Sequence, residues 1–399
     1  MSNAPMPPLL PVYKRAEIAF ERGEGPYLFD HAGQRYLDFG SGIAVTLLGH
    51  AHPHLVAVLE AQAVKLWHCS NLYGIEPQQR LAERLVAHSF ADTAFFCNSG
   101  AEALECAIKM ARRFHYGRGQ GERHRIITFE GAFHGRTLAT LSAGGQEKHL
   151  EGFRPELPGF DHVGLGDLAA VEAAIGEKTA GILIEPTQGE SGIRAIDPLF
   201  LEDLRHLCDE HDLLLLFDEV QCGMGRTGKL FAYQWTKVAP DIMTLAKGLG
   251  GGFPIGACLA TARAASGMTP GSHGSTFGGN PLACAVANGV LDVLLDNGFL
   301  DRVTTVAEIL RAELNELAAA FPGVVLEVRG QGLLLGLRCE PPNTEITAEL
   351  LARGLLTVPA GDNVVRLLPP LIIEQQHIDE AVATLRDVLR DFAGREAAQ

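Results

Sequence analysis

The sequence contains no apolar run that approaches the roughly 18 residues needed for a helix to span a membrane. Its amino terminus also lacks the charged stretch followed by an apolar stretch that marks a secretory signal peptide. These two absences argue against the membrane-protein and secreted classes. We therefore expect a cytoplasmic protein with no membrane partner.

Positive charge is also scarce. The 399 residues include 33 Lys and Arg against 48 Asp and Glu, which gives a formal net charge of −15. Such a surface repels the phosphate backbone of nucleic acids and anionic lipids, so we expect neither as a partner. Small anions stay possible as ligands wherever arginines or helix N-termini outweigh the overall field.

Patterns for disulfide bonds and metal sites are absent from the sequence. The eight cysteines are scattered without a Cys-x-x-Cys pair, which is typical of reduced, buried thiols in a cytosolic protein. His50, His52 and His54 lie close together, but no nearby cysteine or carboxylate completes a zinc-ligand set. We expect no metal site.

Apolar residues, by contrast, make up 47% of the chain, which is enough for a large buried core. From about residue 60 to 290, helical stretches alternate with short, almost wholly apolar runs, as expected of strands covered on both faces. This alternation predicts an α/β fold with a doubly wound sheet that binds its ligands at the carboxyl ends of the strands. The predicted strands are 93–97, 125–129, 181–185, 213–218 and 241–246.

The character of the sequence changes after about residue 290. Strand-like alternating segments there mix with longer helices, which is typical of a smaller α+β unit. The first forty-odd residues contain a hairpin-like pattern with a turn near His31. We therefore predict a large domain, 50–288, and a smaller α+β domain built from both termini, 1–49 and 289–399.

A lysine followed by glycines is the first feature that indicates chemistry. Lys247 ends an apolar run and precedes Gly-Leu-Gly-Gly-Gly, whose glycines allow the backbone to approach a bound group closely. Partial burial at a strand end disfavours the ammonium form of a lysine, which suits formation of a Schiff base. By itself, the pattern also fits a lysine whose ammonium group reaches solvent before a flexible loop.

An acidic residue ends another buried strand. Asp218 follows Leu-Leu-Leu-Leu-Phe, and the interval from Asp218 to Lys247 leaves room for one helix and one returning strand. A carboxylate in that place can keep the pyridine nitrogen of a cofactor protonated, which makes the ring an electron sink. A magnesium ligand or a helix cap would give the same local pattern.

A third strand, ending at Cys97, leads into a helix. Ser99 and Glu102 have capping-box spacing, and apolar residues recur along one face of the helix that follows. The free N–H groups and positive dipole end at a helix start can bind phosphate, and Gly100 has no side chain to block the approach. Any capped helix shows this pattern, so the feature gains weight from the other two.

Together these features resemble the class III (ω-) aminotransferases, which have the aspartate-aminotransferase fold and use pyridoxal 5'-phosphate (PLP). The acetylornithine branch of that family is the most similar. The resemblance implies PLP fold type I, with a large doubly wound α/β/α domain and a smaller α+β domain. The segments that carry it are Gly-Pro-Tyr-Leu-Phe-Asp (25–30), Gly-His-Ala-His-Pro (49–53), Leu-Trp-His-Cys-Ser-Asn-Leu (66–72), Asn-Ser-Gly-Ala-Glu-Ala (98–103), Phe-His-Gly-Arg-Thr (133–137), Asp-Glu-Val-Gln (218–221), Ala-Lys-Gly-Leu-Gly-Gly-Gly (246–252) and Ser-Thr-Phe-Gly-Gly-Asn-Pro (275–281).

The resemblance implies how the cofactor ring is held. Lys247 would bind PLP as a Schiff base and then move the proton between the substrate carbon and the cofactor. Asp218 would pair with the pyridinium nitrogen, and Gln221 would reach the phenolic oxygen. Phe133 would stack on one face of the ring while Val220 covers the other.

The same resemblance implies a phosphate site that two subunits share. The backbone N–H groups of Gly100 and Ala101 would bind the phosphate, which Thr276 would also reach from the neighbouring subunit. The implied active form is a homodimer with shared active sites.

The resemblance also implies how two different substrates use one pocket. Arg136 would bind a substrate carboxylate, and Ser275 would lie near the substrate. Arg366 is similar to the second carboxylate-binding arginine of the family, and Glu190 to the acid that masks it when an ω-amine is bound. A buried Glu–Arg pair that opens for a dicarboxylate never leaves the arginine without a counter-charge.

The implied reaction transfers the ω-amino group of N2-acetyl-L-ornithine to 2-oxoglutarate, which yields N-acetyl-L-glutamate 5-semialdehyde and L-glutamate in arginine biosynthesis. Leu104 stands where the acetylornithine branch usually has asparagine. The loop 40–45 lacks the substrate-contacting tyrosine of ornithine aminotransferases, which argues against free ornithine. 4-Aminobutyrate, succinylornithine and N-succinyl-diaminopimelate stay open as donors, and a PLP-dependent lyase or racemase of the same fold is the alternative from another class.

Overall fold

In the computed structural model, which describes residues 8–396, short apolar segments form the strands and longer amphipathic segments form the helices. The strands of this part of the chain are β1 (Phe20–Glu24), β2 (Tyr27–Asp30), β3 (Arg35–Asp38), β4 (Thr93–Cys97), β5 (Arg125–Phe129), β6 (Phe160–Val163), β7 (Thr179–Ile184), β8 (Thr187–Gln188), β9 (Arg194–Ala195), β10 (Leu214–Asp218), β11 (Ile242–Leu245), β12 (Gly256–Ala260), β13 (Val325–Gln331), β14 (Leu334–Cys339), β15 (Leu355–Leu356), β16 (Val358–Ala360) and β17 (Val364–Leu367).

Helices flank and connect these strands. The α-helices are α1 (Ser41–Ala44), α2 (Pro53–Ala63), α3 (Glu76–Ala87), α4 (Gly100–Gly117), α5 (Leu138–Gly144), α6 (Glu147–Leu150), α7 (Leu168–Ala174), α8 (Pro198–Glu210), α9 (Ala262–Ala265), α10 (Pro281–Leu294), α11 (Phe299–Ala320), α12 (Asn343–Ala352) and α13 (Gln375–Glu396). Two short 3-10 helices, Ala232–Trp235 and Lys247–Leu249, lie in the connections around β10 and β11.

The central sheet has seven strands in the order β4-β12-β11-β10-β7-β5-β6. Strand β12 runs antiparallel to both of its neighbours, and the other adjacent pairs are parallel. Neighbouring parallel strands end at the same edge of a sheet, so the residues that follow β7, β10 and β11 lie side by side. The mixed, mostly parallel sheet confirms the predicted α/β fold.

The five strands predicted from apolar runs are all present in this sheet. Strands β4 and β5 have the predicted bounds, whereas β10 and β11 are slightly shorter than predicted. Strand β7 begins earlier than predicted and ends at Ile184, so Glu185 lies just beyond the strand. All residues of β7, β10 and β11 are buried, which explains why these strands are apolar throughout.

Two smaller sheets lie outside the central one. Strands β13, β14, β17 and β16 form an antiparallel sheet, and β17 carries Arg366 in its interior. The hairpin of β1, β2 and β3 is extended by β15, which pairs in parallel with β3 through Leu37 and Leu355. Residues from near both ends of the chain therefore share one sheet.

Two kinds of feature, a membrane-spanning helix and a cluster of metal ligands, are absent from the described residues. No helix within residues 8–396 is by itself long and apolar enough to cross a membrane. Helices α10 and α11 reach that length and composition only as a pair that is bent by 72°. The same residues contain no group of three or more His, Cys, Asp or Glu placed to hold a metal ion. His50 instead bonds to Asp38, and His54 bonds to Asp292.

Candidate active site

A cavity of about 310 Å³ lies at the carboxyl ends of the central strands. Its size is within the range of about 300–1,000 Å³ that is usual for small-molecule sites. The walls come from the loops after β4, β5, β7, β10 and β11, so segments far apart in the sequence meet here. The predicted site residues that line the cavity are Gly100, Ala101, Phe133, Glu190, Asp218, Val220, Gln221 and Lys247.

Lys247 lies just after β11 and lines the cavity. Its backbone φ is +43°, in the left-handed region that side chains other than glycine rarely adopt. Such strain, about 1–3 kcal/mol, is typical of residues held in place at functional sites. Burial lowers the pKa of the Lys247 ammonium group, although the charges of Glu190 and Asp218 oppose the shift. The lowered pKa favours the neutral amine, which is the nucleophilic form.

Asp218, the last residue of β10, is buried and accepts hydrogen bonds at both oxygens. Its Oδ2 lies 2.8 Å from Nδ1 of His134, and its Oδ1 accepts from the backbone N–H of Val220 at 3.0 Å. With the proton on Nδ1, His134 donates to Asp218 and fixes the orientation of the carboxylate. Nε2 of His134 is buried without a hydrogen-bond partner in the described part of the chain. The sequence reasoning did not single out His134, although the Phe-His-Gly-Arg motif contains it.

The start of helix α4 forms another wall. Ser99 caps the helix, because its side chain accepts a hydrogen bond from the Glu102 N–H at 3.2 Å. The Glu102 carboxylate accepts from the N–H of Asn98 at 2.6 Å, one residue before the position that a capping box uses. The N–H groups of Gly100 and Ala101, in the first turn, have no acceptor within the helix.

Gly100 is required by the packing of this wall. A Cβ atom at position 100 would lie 2.7 Å from Cγ1 of Val220, closer than side-chain atoms pack. The absent side chain therefore leaves room both for Val220 and for a group that approaches the helix start.

Glu190, Gln221 and Arg366 form a hydrogen-bonded group at the cavity wall. Arg366 donates to Glu190 through two nitrogens, Nη1 to Oε1 at 2.6 Å and Nη2 to Oε2 at 3.2 Å. Oε1 of Gln221 lies 3.4 Å from Nη1 of Arg366. Burial alone would raise the pKa of Glu190, but the charge and hydrogen bonds of Arg366 outweigh it and hold that pKa below its usual value. Glu190 is therefore ionised and paired.

Four predicted residues are not among those that line the cavity. Arg366 stands behind Glu190, as described above. Arg136 is exposed, with its guanidinium carbon 5.5 Å from the centre of the Phe133 ring. Oγ of Ser275 lies 3.3 Å from Nδ2 of Asn98, at the margin, and Thr276 is exposed.

Glu185 is a second cavity residue that the sequence reasoning missed. It follows β7 directly, and its Oε2 accepts a hydrogen bond from the backbone N–H of Phe133 at 3.0 Å. Burial, together with the charge of Asp218, raises the pKa of Glu185 well above its ordinary value. The available signal was its place in the sequence: Glu185 follows one buried strand much as Asp218 ends another.

Comparisons with known proteins agree with this geometry. Residues 11–389 match the protein family described as aminotransferase class-III. The chain is 59% identical over 390 residues, 98% of each chain, to an acetylornithine aminotransferase of Agrobacterium fabrum. The N-acetylornithine aminotransferase of Stenotrophomonas maltophilia superposes with a TM-score of 0.84 and 40% identity, over 97% of this chain and 98% of that chain. An ornithine aminotransferase of Toxoplasma gondii, with partial occupancy of PLP at its active site, superposes with a TM-score of 0.92 and 31% identity, over 97% of this chain and 93% of that chain. The chain therefore belongs to the class III aminotransferases, a family of PLP-dependent enzymes.

Proposed function

We propose that this protein transfers the ω-amino group of N2-acetyl-L-ornithine to 2-oxoglutarate, which gives N-acetyl-L-glutamate 5-semialdehyde and L-glutamate in arginine biosynthesis. The observation that carries the proposal is the Glu190–Arg366 pair at the cavity wall. A covered arginine suits an enzyme that accepts both a donor without a second free carboxylate and a dicarboxylate. Curated relatives that are 59–61% identical to this chain and bear the name acetylornithine aminotransferase support this donor.

The residues of the cavity fit PLP by several observations. The first turn of α4 offers unpaired N–H groups beside Gly100, which suits a phosphate. Asp218 is a buried acid at the cavity floor, which suits a protonated ring nitrogen, and the amine of Lys247 borders the same space. Bound PLP supplies an electron sink for the pair released when a bond at the reacting carbon breaks.

Each cavity residue then has one task in the reaction. Lys247 would hold the cofactor covalently, and its amine would then move the proton between the substrate carbon and the cofactor. Asp218 would keep the proton on the ring nitrogen, and His134 keeps Asp218 oriented. Phe133 and Val220 would enclose the ring and exclude water from it.

The phosphate and the ring oxygen take the remaining cofactor residues. The N–H groups of Gly100 and Ala101 would donate to the phosphate. Gln221, which already contacts Glu190 and Arg366, would hold the ring oxygen with its amide.

Two cations divide the substrate carboxylates between them. Arg136 is exposed near Phe133 and makes no ion pair with a described residue, so it is free to receive the carboxylate far from the ring. Ser275, at the cavity margin beside Asn98, would lie near the substrate. Arg366 receives the second carboxylate of glutamate or 2-oxoglutarate when Glu190 moves aside.

We further propose a homodimer in which Thr276 reaches the phosphate of the neighbouring subunit. Thr276 is exposed and lies outside the cavity of its own chain, and Phe277 beside it is 61% exposed. The segment 64–73 adds a large exposed apolar surface that Asn71 ties to this loop through hydrogen bonds to Ser275 and Gly278. Such a patch is typical of a subunit interface. Dilution to monomers should abolish activity, and a fully active monomer in sedimentation would contradict the shared site.

The domain division and the location complete the proposal. A large domain, 50–288, would carry the cofactor, and a smaller domain, 1–49 with 289–399, would carry Arg366. A cytoplasmic location suits the eight free cysteines, seven of which are buried.

A panel of amine donors with 2-oxoglutarate as acceptor tests the function. Acetylornithine should give the highest kcat/KM among acetylornithine, succinylornithine, N-succinyl-diaminopimelate, ornithine and 4-aminobutyrate. A higher value for another donor would reassign the substrate within the family. Turnover without any amino acceptor would instead indicate a lyase or racemase.

A further inference from the structure

A second buried acid borders the proposed cofactor space beside Asp218. Glu185 is 6% exposed and lines the cavity from the end of β7, the strand next to β10. Its carboxyl group accepts one hydrogen bond within the described chain, from the backbone N–H of Phe133. The reaction as proposed gives Glu185 no task.

The surroundings of Glu185 do not compensate an ionised carboxylate. Its charged neighbours are Asp218 on β10, Glu190 after β8 and Lys247 after β11, two anions against a single amine. Lys247 is itself more easily neutralised than an ordinary lysine, and it is the residue that would hold the cofactor. One N–H donor is far less than a buried carboxylate needs in order to stay charged.

Glu219, which follows β10, provides a comparison with another buried acid. It is also buried, but it accepts two backbone N–H bonds, from Ala232 at 2.6 Å and from Tyr233 at 2.8 Å. Burial still raises the pKa of Glu219 to about 7. Asp218 is a carboxylate neighbour of both acids, but Glu185 has fewer donors and also faces Glu190, so it should bind its proton more tightly than Glu219.

We propose that Glu185 stays protonated throughout the reaction and is a positioning residue. Its carbonyl oxygen holds the Phe133 backbone. Because Glu185 is neutral, Asp218 is the single anion at the floor of the cavity. The proposal rests on the proposed function, in which Asp218 serves the ring nitrogen of the cofactor. The raised pKa of Glu185 agrees with it. Two ionised acids there would repel each other, and the pair would tend to bind one proton between them, which would weaken the hold of Asp218 on the ring nitrogen.

Infrared difference spectroscopy of the purified protein with its cofactor tests the protonation state directly. At a pH well above 7, where Glu219 is ionised, the wild-type protein should show the C=O stretch of a protonated carboxyl group, shifted in D2O. Glu185→Gln should remove this band, whereas Asp218→Asn should keep it. A wild-type spectrum without the band overturns the proposal even if no variant folds.

Kinetics and cofactor retention test the positioning role. Glu185→Gln keeps the size, the neutrality and the acceptor for the Phe133 N–H, so its loss of kcat should be at least about tenfold smaller than that of Asp218→Asn. Glu185→Ala should release the cofactor faster on dialysis, and Glu185→Gln should restore retention. Equal losses in the two amide variants would refute the neutral-acid role. A failed donor panel alongside an intact infrared band would instead count against the proposed function alone.

Discussion

Removing the acid that covers Arg366 is the sharpest test of how one pocket serves two substrates. Glu190→Ala deletes both hydrogen bonds to a guanidinium group that is 1% exposed. Glutamate brings a second carboxylate that can take the place of Glu190. Acetylornithine has no free carboxylate for that position, so its half-reaction should suffer most.

The size of the effect follows from the burial of the pair. Stranding one member of a buried ion pair costs about 3–5 kcal/mol. The Glu190 side chain is 29% exposed, so solvent screening reduces that figure, and we take about 1.4–3 kcal/mol as the usable range. The ratio of the two half-reaction rates should therefore shift toward glutamate by about tenfold to about a hundredfold.

Single-turnover kinetics of each half-reaction, followed through cofactor absorbance, measures this ratio. Asp161→Ala is a matched control, because Asp161 pairs with Arg125 away from the cavity, and it should leave the ratio unchanged. Glu190→Gln should fall between the wild type and Glu190→Ala, since it keeps the size but loses the charge. An unchanged ratio in Glu190→Ala would refute the gating role and leave pocket shape as the discriminating factor.

Three further predictions test other parts of the site. Borohydride should fix a pyridoxyl group on Lys247, as located by mass spectrometry. An adduct on another lysine would contradict the assignment of Lys247 as the residue that binds PLP. Asp218→Ala should retain some cofactor but lose turnover by several orders of magnitude in steady-state assays, because an unprotonated ring is a poor electron sink; near-normal rates would contradict this. Burial raises the pKa of Glu219 from 4.5 to about 7, so the folded state binds this proton more tightly and the free energy of unfolding falls as the pH rises from 4.5 to 7. Glu219→Gln should remove about 3 kcal/mol of that fall in denaturant titrations, and an unaltered pH profile would disprove the cause.

The sequence sufficed for five of the seven strands of the central sheet and for Asp218 and Lys247 at the ends of two of them. Strands β10 and β11 are buried on both faces, so their apolar runs are unmistakable, and parallel neighbours must bring Asp218 and Lys247 to one edge. Ser99 and Gly100 were predictable for a similar reason, because helix caps depend on local sequence.

Residues whose role depends on tertiary packing were harder to predict. His134 and Glu185 are single polar residues with no periodic signature. Glu185 does follow a buried strand, but the place of both residues beside Asp218 appears only when β5, β7 and β10 lie side by side. Whether Glu102 bonds to Asn98 or Ser99 depends on backbone angles that residue identity does not determine. The task proposed for Thr276 would require a second subunit, which no pattern within one chain can place.

The pairing of β3 with β15 has a consequence for how the chain folds. Leu37 cannot pair with Leu355 before Leu355 has been synthesised. The hairpin of β1, β2 and β3 therefore keeps an unpaired edge during the synthesis of the residues between them. At about 5–20 residues per second, that interval is on the order of 15–60 s. During this time the exposed edge of β3 is open to pairing with other chains, so slower synthesis should lengthen the period in which the chain can aggregate.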